Sequence, residues 1–439
     1  MLFFTPIYLF IFFPLVFYFY YNFGSSKVNR KVFLILFSLF FYSYWEIKFL
    51  PIIIFSIIIN FFFHKLLVFS NINKKLLLWI GITINLLILI IFKYSNFIID
   101  NYNYFFKSDI ESLKIAFPLA ISFFTFQSIV FLVNCYDKEI NDVKFIDYSL
   151  FISFFPQLVA GPIVKFNDMV PQFNNNLLSK FKPTYFYLGL TIFLIGFIKK
   201  IFLADSLGIF VDESYSDIKN LSFLKSWILS ISFTFQFYFD FSGYVDMAVG
   251  SALMLNIRLL QNFNSPLKST SIIDFWHKWH ITLSNFITNY VFTPWIMSFK
   301  KINFIKTMFV LFLVFLLAGL WHGPSWTFVI FGMMHGLALI INHAYKKKFS
   351  YKINSFLSWF LTFNFVNISF LMFRSESIAD FLIILGKMFT FGNSYSVNNI
   401  NSDISIFNSS ILLLSFAVCF CFKNSNYLID KLLDSHSMV

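Results

Sequence analysis

The sequence predicts an all-α polytopic membrane protein, and three observations carry that prediction. Of its 439 residues, 58% are hydrophobic and only 12% are charged, a balance foreign to soluble chains of this length. The mean hydropathy is +0.74. Apolar runs of membrane-spanning grade recur from one end to the other.

The first run, residues 2–21, has no basic segment ahead of it and no small-residue cleavage site behind it. It reads as a first transmembrane helix and not as a removable signal. Lys27, Arg30 and Lys31 follow it, then runs at residues 32–45, 49–63 and 76–92, the last two separated by Lys65, Lys74 and Lys75. Lys and Arg beside the helix ends place the first and third loops in the cytoplasm and the N-terminus outside. Further runs cover residues 115–133, 185–202, 227–241, 244–255, 281–296, 307–320, 327–341, 356–372 and 411–422.

Several runs are too short to span alone. These include residues 149–159 and the two segments carrying Asp240 and Asp246. Runs of that length are buried or re-entrant, and non-helical backbone at membrane depth survives only against protein or a water-filled cavity. The middle of the chain therefore reads as a buried core with a cavity and the ends as a lipid-facing wall, in roughly 11–13 membrane segments. One integral-membrane domain, residues 1–439, is expected. The longest polar gaps, residues 165–183 and 392–403, read as loops. No internal repeat is visible, which counts against a transporter with symmetric halves.

The formal net charge is +12. The lysines and arginines are spread over short loops, as suits a protein set in anionic lipid, and no nucleic-acid module is present. The 70 phenylalanines, with abundant Ile, Asn and Lys, look like the bias of an AT-rich gene, so aromatic richness is no chemical signal. Cys135, Cys419 and Cys421 are an odd number without zinc or disulfide spacing.

The chemistry concentrates in polar residues among apolar ones. In Ala318-Gly-Leu-Trp-His322-Gly-Pro-Ser-Trp326, a histidine lies between two membrane-grade segments. An ionisable residue there is either a site or a helix-packing group. Trp321 and Trp326 flank it with rings that can shape a pocket and shed water. Asp240 and Asp246 lie in an aromatic run, where each carboxylate needs a partner or water. They serve a site, or they pair with a buried cation or a broken helix end. Asn262 and Asn264 with Pro266 mark a loop. Asp274 through Ser284 can be a short amphipathic helix bearing Trp276, Trp279 and His280.

Asp274, His277 and His280, at intervals of three, would share one face of that helix. With His322 they invite a metal reading, but no stronger zinc signature supports it, and no metal is expected. His335 either lines the same cavity or ends a helix near the interface, and the second is the favoured expectation. No hydrolase elbow, Walker loop or dinucleotide fingerprint is present. A buried neutral histidine can act as general base towards a hydroxyl, or carry an acyl group.

Taken in order, these motifs resemble the membrane-bound O-acyltransferase family, in the bacterial branch that O-acetylates alginate and peptidoglycan and D-alanylates teichoic acid. The resemblance runs through Phe117-Pro-Leu-Ala-Ile-Ser-Phe-Phe-Thr-Phe-Gln127, Phe155-Pro-Gln-Leu-Val-Ala-Gly161-Pro162 and Asp240-Phe-Ser-Gly-Tyr244-Val-Asp246. It continues through Asn262-Phe-Asn264-Ser-Pro266, Phe275-Trp-His-Lys-Trp-His280, Leu320-Trp-His322-Gly323, His335-Gly336 and Phe373-Arg374-Ser-Glu376. The motif core covers about residues 115–376.

The resemblance implies a helical bundle around a central tunnel, with His322 as the catalytic histidine and His280 as the second histidine of that tunnel. Trp321, Trp326, Asp240, Asp246, Asn262, Trp279 and His335 are the expected lining or supporting residues. It implies a bacterial cytoplasmic-membrane enzyme with no bound cofactor. Acetyl-CoA or another acyl thioester would be donor from the cytoplasm, and an extracytoplasmic hydrolase-like transferase or glycan the acceptor. His277-Lys278 stands where many relatives carry Arg-Arg, and Phe286-Ile-Thr-Asn-Tyr290 lacks the charges common there. The competing expectations are D-alanyl transfer to teichoic acid and, in a different class, transport of a polysaccharide or lipid-linked sugar.

Overall fold

The computed structural model describes residues 1–22, 26–175, 180–349, 353–390 and 406–436. The expected loop at residues 392–403 lies outside them. All regular secondary structure among the described residues is helical. In order, its helices are α1 Tyr8–Asn22, α2 Lys27–Ser43, α3 Leu50–Phe69, α4 Lys74–Phe106, α5 Ile121–Tyr136, α6 Phe145–Ser153, α7 Phe155–Leu158 and α8 Phe166–Asn174. There follow α9 Pro183–Ser216, α10 Phe223–Met254, α11 Ile272–Lys278, α12 Ile281–Ile287, α13 Thr293–Met297, α14 Phe304–His322, α15 Trp326–Lys348, α16 Ser355–Arg374, α17 Ile378–Phe389, α18 Ile406–Cys421 and α19 Ser425–His436. Among the described residues 7 helices are long and apolar enough to cross a membrane, and α1 and α5 are shorter apolar helices.

Three expectations of element length change. The runs 227–241 and 244–255 are one helix, α10, because Gly243 is a packing residue and not a break. A Cβ there would lie 2.7 Å from the Gly196 carbonyl oxygen, so the missing side chain lets two helices touch. The run at residues 76–92 continues past Lys93 to Phe106. The polar gap 165–183 contains α8, which buries Phe166, Met169, Val170 and Phe173 on one side.

Two compact units divide the chain, Met1–Leu194 with Tyr244–Leu260 and Ile195–Gly243 with Gln261–Val439. In the first, several buried polar groups are matched in pairs. Asn60 and Asn85 exchange amide hydrogen bonds of 3.1 and 2.6 Å between α3 and α4. Lys31 of α2 is ion-paired with Asp147 of α6 and donates to Asn174 of α8 at 2.5 Å. Tyr8 and Ser251 share a 2.7 Å hydroxyl bond. Buried away from water, such groups are satisfied by a partner within the protein.

In the second unit α14 and α15 form an antiparallel hairpin through a contact that excludes side chains. A Cβ on Gly319 would sit 2.3 Å from the Phe328 carbonyl oxygen and 2.8 Å from Gly332 Cα. Asn303 and Ser325 cap the N-termini of the two helices, accepting from Lys306 N and Thr327 N. The α16 helix ties to α10 through Thr234 Oγ1, which donates to Asn367 Oδ1 at 2.7 Å. It ties to the 266–268 turn through the Trp359 indole, which donates to the Leu267 carbonyl at 3.0 Å.

Candidate active site

All three central histidines lie in the second unit, each placed by a different local device. The α11 helix starts at Ser271, whose hydroxyl accepts from Asp274 N at 3.1 Å, and Asp274 pairs with Lys278 one turn on at 2.8 Å. It stops at Lys278, and His280 takes a left-handed backbone, φ 45° and ψ 53°. Histidine is among the few side chains that enter this region with some frequency. The reversal restarts the chain as α12, where Ser284 N donates to the His280 carbonyl at 3.0 Å.

The expected single helix from Asp274 to Ser284 is therefore two. His277 is exposed, whereas His280 is 2% exposed. Asp274, His277 and His280 do not share a helical face, because the left-handed residue breaks the period. Among the described residues no group of three His, Cys, Asp or Glu side chains is arranged to hold a metal ion.

A short loop segment, residues 262–264, holds the break in place. Asn264 N donates to the Lys278 carbonyl and Ile281 N to the Asn262 carbonyl, both at 2.9 Å. The Asn262 side-chain oxygen accepts from Thr282 N at 3.2 Å and from the Thr282 hydroxyl at 2.9 Å, and His280 Nδ1 lies 3.1 Å from it. The Phe241 ring meets the imidazole edge-on, with centroids 4.9 Å apart. His280 lies outside the spanning helices. Burial first, then the charge of His322, push its pKa down to about 3, so it stays neutral at ordinary pH.

His322 ends α14, half-buried. Its ring packs against Trp321 at 4.9 Å, Phe373 at 5.2 Å and Phe331 at 5.9 Å between centroids. Trp321 also meets the His280 ring, at 6.4 Å, so one indole touches both imidazoles. Phe331 links His322 to His335, whose ring it meets at 4.6 Å.

His335 does not end a helix near the interface. It sits within α15, fully buried. The Trp276 indole donates to its Nδ1 at 3.2 Å, and its Nε2 lies 3.0 Å from Ser369 Oγ, which donates onward to the Val366 carbonyl at 2.8 Å. Since Nδ1 accepts, Nε2 carries the proton and donates to Ser369. Both ring nitrogens are occupied.

The remaining expected residues are spread more widely. Trp279 is buried among Phe237, Phe263, Phe275 and Phe370. Trp326 opens α15 and is 51% exposed. Asp240 is half-exposed and accepts from Lys200 Nζ at 2.6 Å, while Lys200 also reaches Asp205 at 2.7 Å. That lysine supplies a cation to the carboxylate, and it projects from a π-helical turn, Lys199–Ala204, within α9. Asp246 is buried and belongs to the first compact unit, while the histidines belong to the second. Thr282, Phe331, Ser369 and Phe373 complete the surroundings. Sequence reasoning gave none of them a site role, since Phe331, Ser369 and Phe373 are separated in sequence from His322 or His335 and a lone Thr or Ser in an apolar run carries no signal.

A buried neutral imidazole, His280, and a half-buried one, His322, set among aromatic rings suit proton transfer from a hydroxyl to a base during attack on an activated acyl group. Comparison with known proteins gives this chemistry a context. The sequence profile of MBOAT, the membrane-bound O-acyltransferase family, matches residues 39–379. The chain is 37% identical to a peptidoglycan O-acetyltransferase of Helicobacter pylori, over 98% of this chain and 90% of that protein. It is 35% identical to a probable alginate O-acetylase of Pseudomonas syringae, over 90% of this chain and 76% of that protein. It is 28% identical to a teichoic acid D-alanyltransferase of Bacillus subtilis, over 59% of this chain and 69% of that protein.

Proposed function

The chain belongs to the membrane-bound O-acyltransferase family and is a multi-pass membrane acyltransferase, and from that premise we propose that it moves an acetyl group from a cytoplasmic thioester to hydroxyls of a cell-envelope glycan. The observation that carries this reading is the pair His280 and His322 around Trp321, in a chain whose relatives of 37% and 35% identity are O-acetylating enzymes. The family uses acyl thioesters generally, and acetyl-CoA is the donor proposed here. Peptidoglycan is the proposed glycan, on the strength of the Helicobacter pylori relative and its 98% coverage of this chain. D-alanyl transfer rests on a relative of lower identity that matches 59% of the chain.

In the proposed step the acceptor oxygen attacks the thioester carbonyl carbon while its proton passes to His322. The C–S bond breaks, and the departing thiolate takes that proton, which returns the imidazole to its neutral form. His280 orients the acceptor. Trp321 and Phe373 keep water from hydrolysing the thioester. The acceptor hydroxyl belongs to the glycan or to an extracytoplasmic hydrolase-like transferase that passes the acetyl group on.

Lys300, Lys301 and Lys306 lie at the start of α14, and Lys346, Lys347 and Lys348 at the end of α15. The positive-inside rule puts this end of the hairpin in the cytoplasm and turns His322 towards the outer face. The same rule sets the N-terminus outside. The whole chain, residues 1–439, works as one domain of a bacterial cytoplasmic membrane. The test is the ester-linked acetyl content of purified peptidoglycan from wild-type, deletion and complemented cells. Loss on deletion with return on complementation supports the reading. Loss of ester-linked D-alanine from teichoic acid, with acetyl unchanged, replaces it with the second.

A further inference from the structure

We propose that Asn262 is a positioning residue for acyl transfer, which holds the His280 imidazole with its proton on Nδ1 and so presents the Nε2 lone pair to the substrate. The proposal rests on the acyltransferase reading of His280 and His322 given above.

Thr282 N–H donates to the Asn262 side-chain oxygen at 3.2 Å, and the Thr282 hydroxyl lies 2.9 Å from the same atom. A backbone N–H can only donate, so the atom facing it is the amide oxygen and not the amide nitrogen. That settles which way the buried amide points. His280 Nδ1 stands 3.1 Å from the same oxygen. An amide oxygen has no proton to give, so Nδ1 must supply it. A neutral imidazole carries one N–H, and Nε2 is therefore left as acceptor. Burial keeps the ring neutral, with its pKa at about 3.

Asn262 fixes the ring and also the backbone beneath it. Its own carbonyl accepts from Ile281 N at 2.9 Å, so this one residue bonds to three successive positions, 280, 281 and 282. The left-handed conformation at His280 is disfavoured by itself, and these bonds hold it. His335 shows the opposite arrangement. Both of its nitrogens are engaged, by Trp276 and Ser369. Of these two buried imidazoles of the second unit, only His280 keeps a ring nitrogen for which the described residues offer no partner.

The structure also supplies a clean substitution. Asn262 is 1% exposed, and its Nδ2 has no hydrogen-bond partner among the described residues. Asn262→Asp replaces that nitrogen by oxygen, so it breaks no hydrogen bond and keeps the acceptor. It also sets a carboxylate against Nδ1, which favours the imidazolium.

The experiment is ¹⁵N-histidine NMR of the full-length chain in lipid nanodiscs, paired with pH profiles of acetyl transfer using acetyl-CoA as the probe donor. His280→Gln identifies the His280 signals among the 7 histidines. The expected result is an Nδ1–H tautomer in the wild type, lost or mixed in Asn262→Ala and restored in Asn262→Asp. Transfer by Asn262→Ala should fall roughly 10²-fold in kcat, the loss that a misplacement of about 1 Å in an orienting group can cause, with the donor KM little changed. Asn262→Asp should recover most of that rate, with the acid limb of its pH profile moved up by about one unit or more.

An Nε2–H tautomer in the wild type overturns the proposal. So does a tautomer locked as expected with transfer unchanged in Asn262→Ala. If Asn262→Ala does not fold, an unmoved His280 titration in Asn262→Asp has the same force. The NMR reads the tautomer whether or not acetyl is transferred, so failure of the Asn262 assignment and failure of the acetyltransferase reading are separate results.

Discussion

The Trp276 indole donates its single N–H to Nδ1 of His335 at 3.2 Å, and this bond gives the buried histidine a structural task. Removing the donor leaves a buried acceptor unsatisfied, at about 1–3 kcal/mol. Trp276→Phe should therefore lower the thermal unfolding midpoint of the detergent-solubilised protein. The pH profile of transfer at temperatures where the variant is folded should not move. A moved profile would give His335 a part in proton transfer.

His280 makes stability depend on pH with a definite sign. Its folded pKa, about 3, lies below the 6.5 of a free imidazole. Between these values the unfolded chain binds more protons than the folded chain, so stability rises with pH across the window and falls as pH drops through it. The slope from one such group is at most about 1.4 kcal/mol per pH unit. Thermal midpoints measured from pH 7 down to pH 4 should fall more steeply in the wild type than in His280→Gln, which cannot titrate. Parallel curves would show that His280 is not the group responsible.

The glycines of the second unit separate close helix contact from open space. A side chain on Gly319 would meet the Phe328 carbonyl oxygen and Gly332 Cα, whereas one on Gly386 meets nothing within 4 Å. Gly319→Val should force α14 and α15 apart and remove most folded protein from a size-exclusion profile. Gly386→Ala, inside α17, should be neutral or stabilising by up to about 1 kcal/mol. Equal behaviour of the two variants would contradict the close packing of the hairpin.

Lys200 neutralises two carboxylates at once, Asp205 and Asp240. Lys200→Met leaves both without that cation, and Asp240→Asn leaves Lys200 still paired. The lysine variant should lose more stability, by an amount on the order of 1 kcal/mol given the half-exposed carboxylates, as read by thermal unfolding in low-salt detergent. A larger loss from Asp240→Asn would mean that the carboxylate serves something other than this pair.

The sequence made the membrane class and the order of helices readable, because long apolar runs have few other uses. It did not show that Phe223–Met254 is continuous. Asp240, Ser242 and Gly243 look like a break, and only the neighbouring Gly196 shows that Gly243 is a contact. The intervals of three from Asp274 to His280 suggested one face, since a left-handed backbone at a non-glycine residue leaves no mark in the sequence. Trp321 could be read as flanking His322 from adjacency alone. Its contact with His280, 41 positions earlier, needed the fold, as did the partnership of His335 with Ser369.

The most direct measurement of the proposed chemistry is the ester-linked acetyl content of peptidoglycan in a deletion strain complemented with His322→Ala, with membrane abundance of the variant confirmed by immunoblot. Removing a general base typically lowers a rate on the order of 10²–10⁴-fold. Acetyl content at the level of the uncomplemented deletion, with normal abundance of the variant, is the expected result. Wild-type acetyl content in His322→Ala would contradict the role given to this histidine.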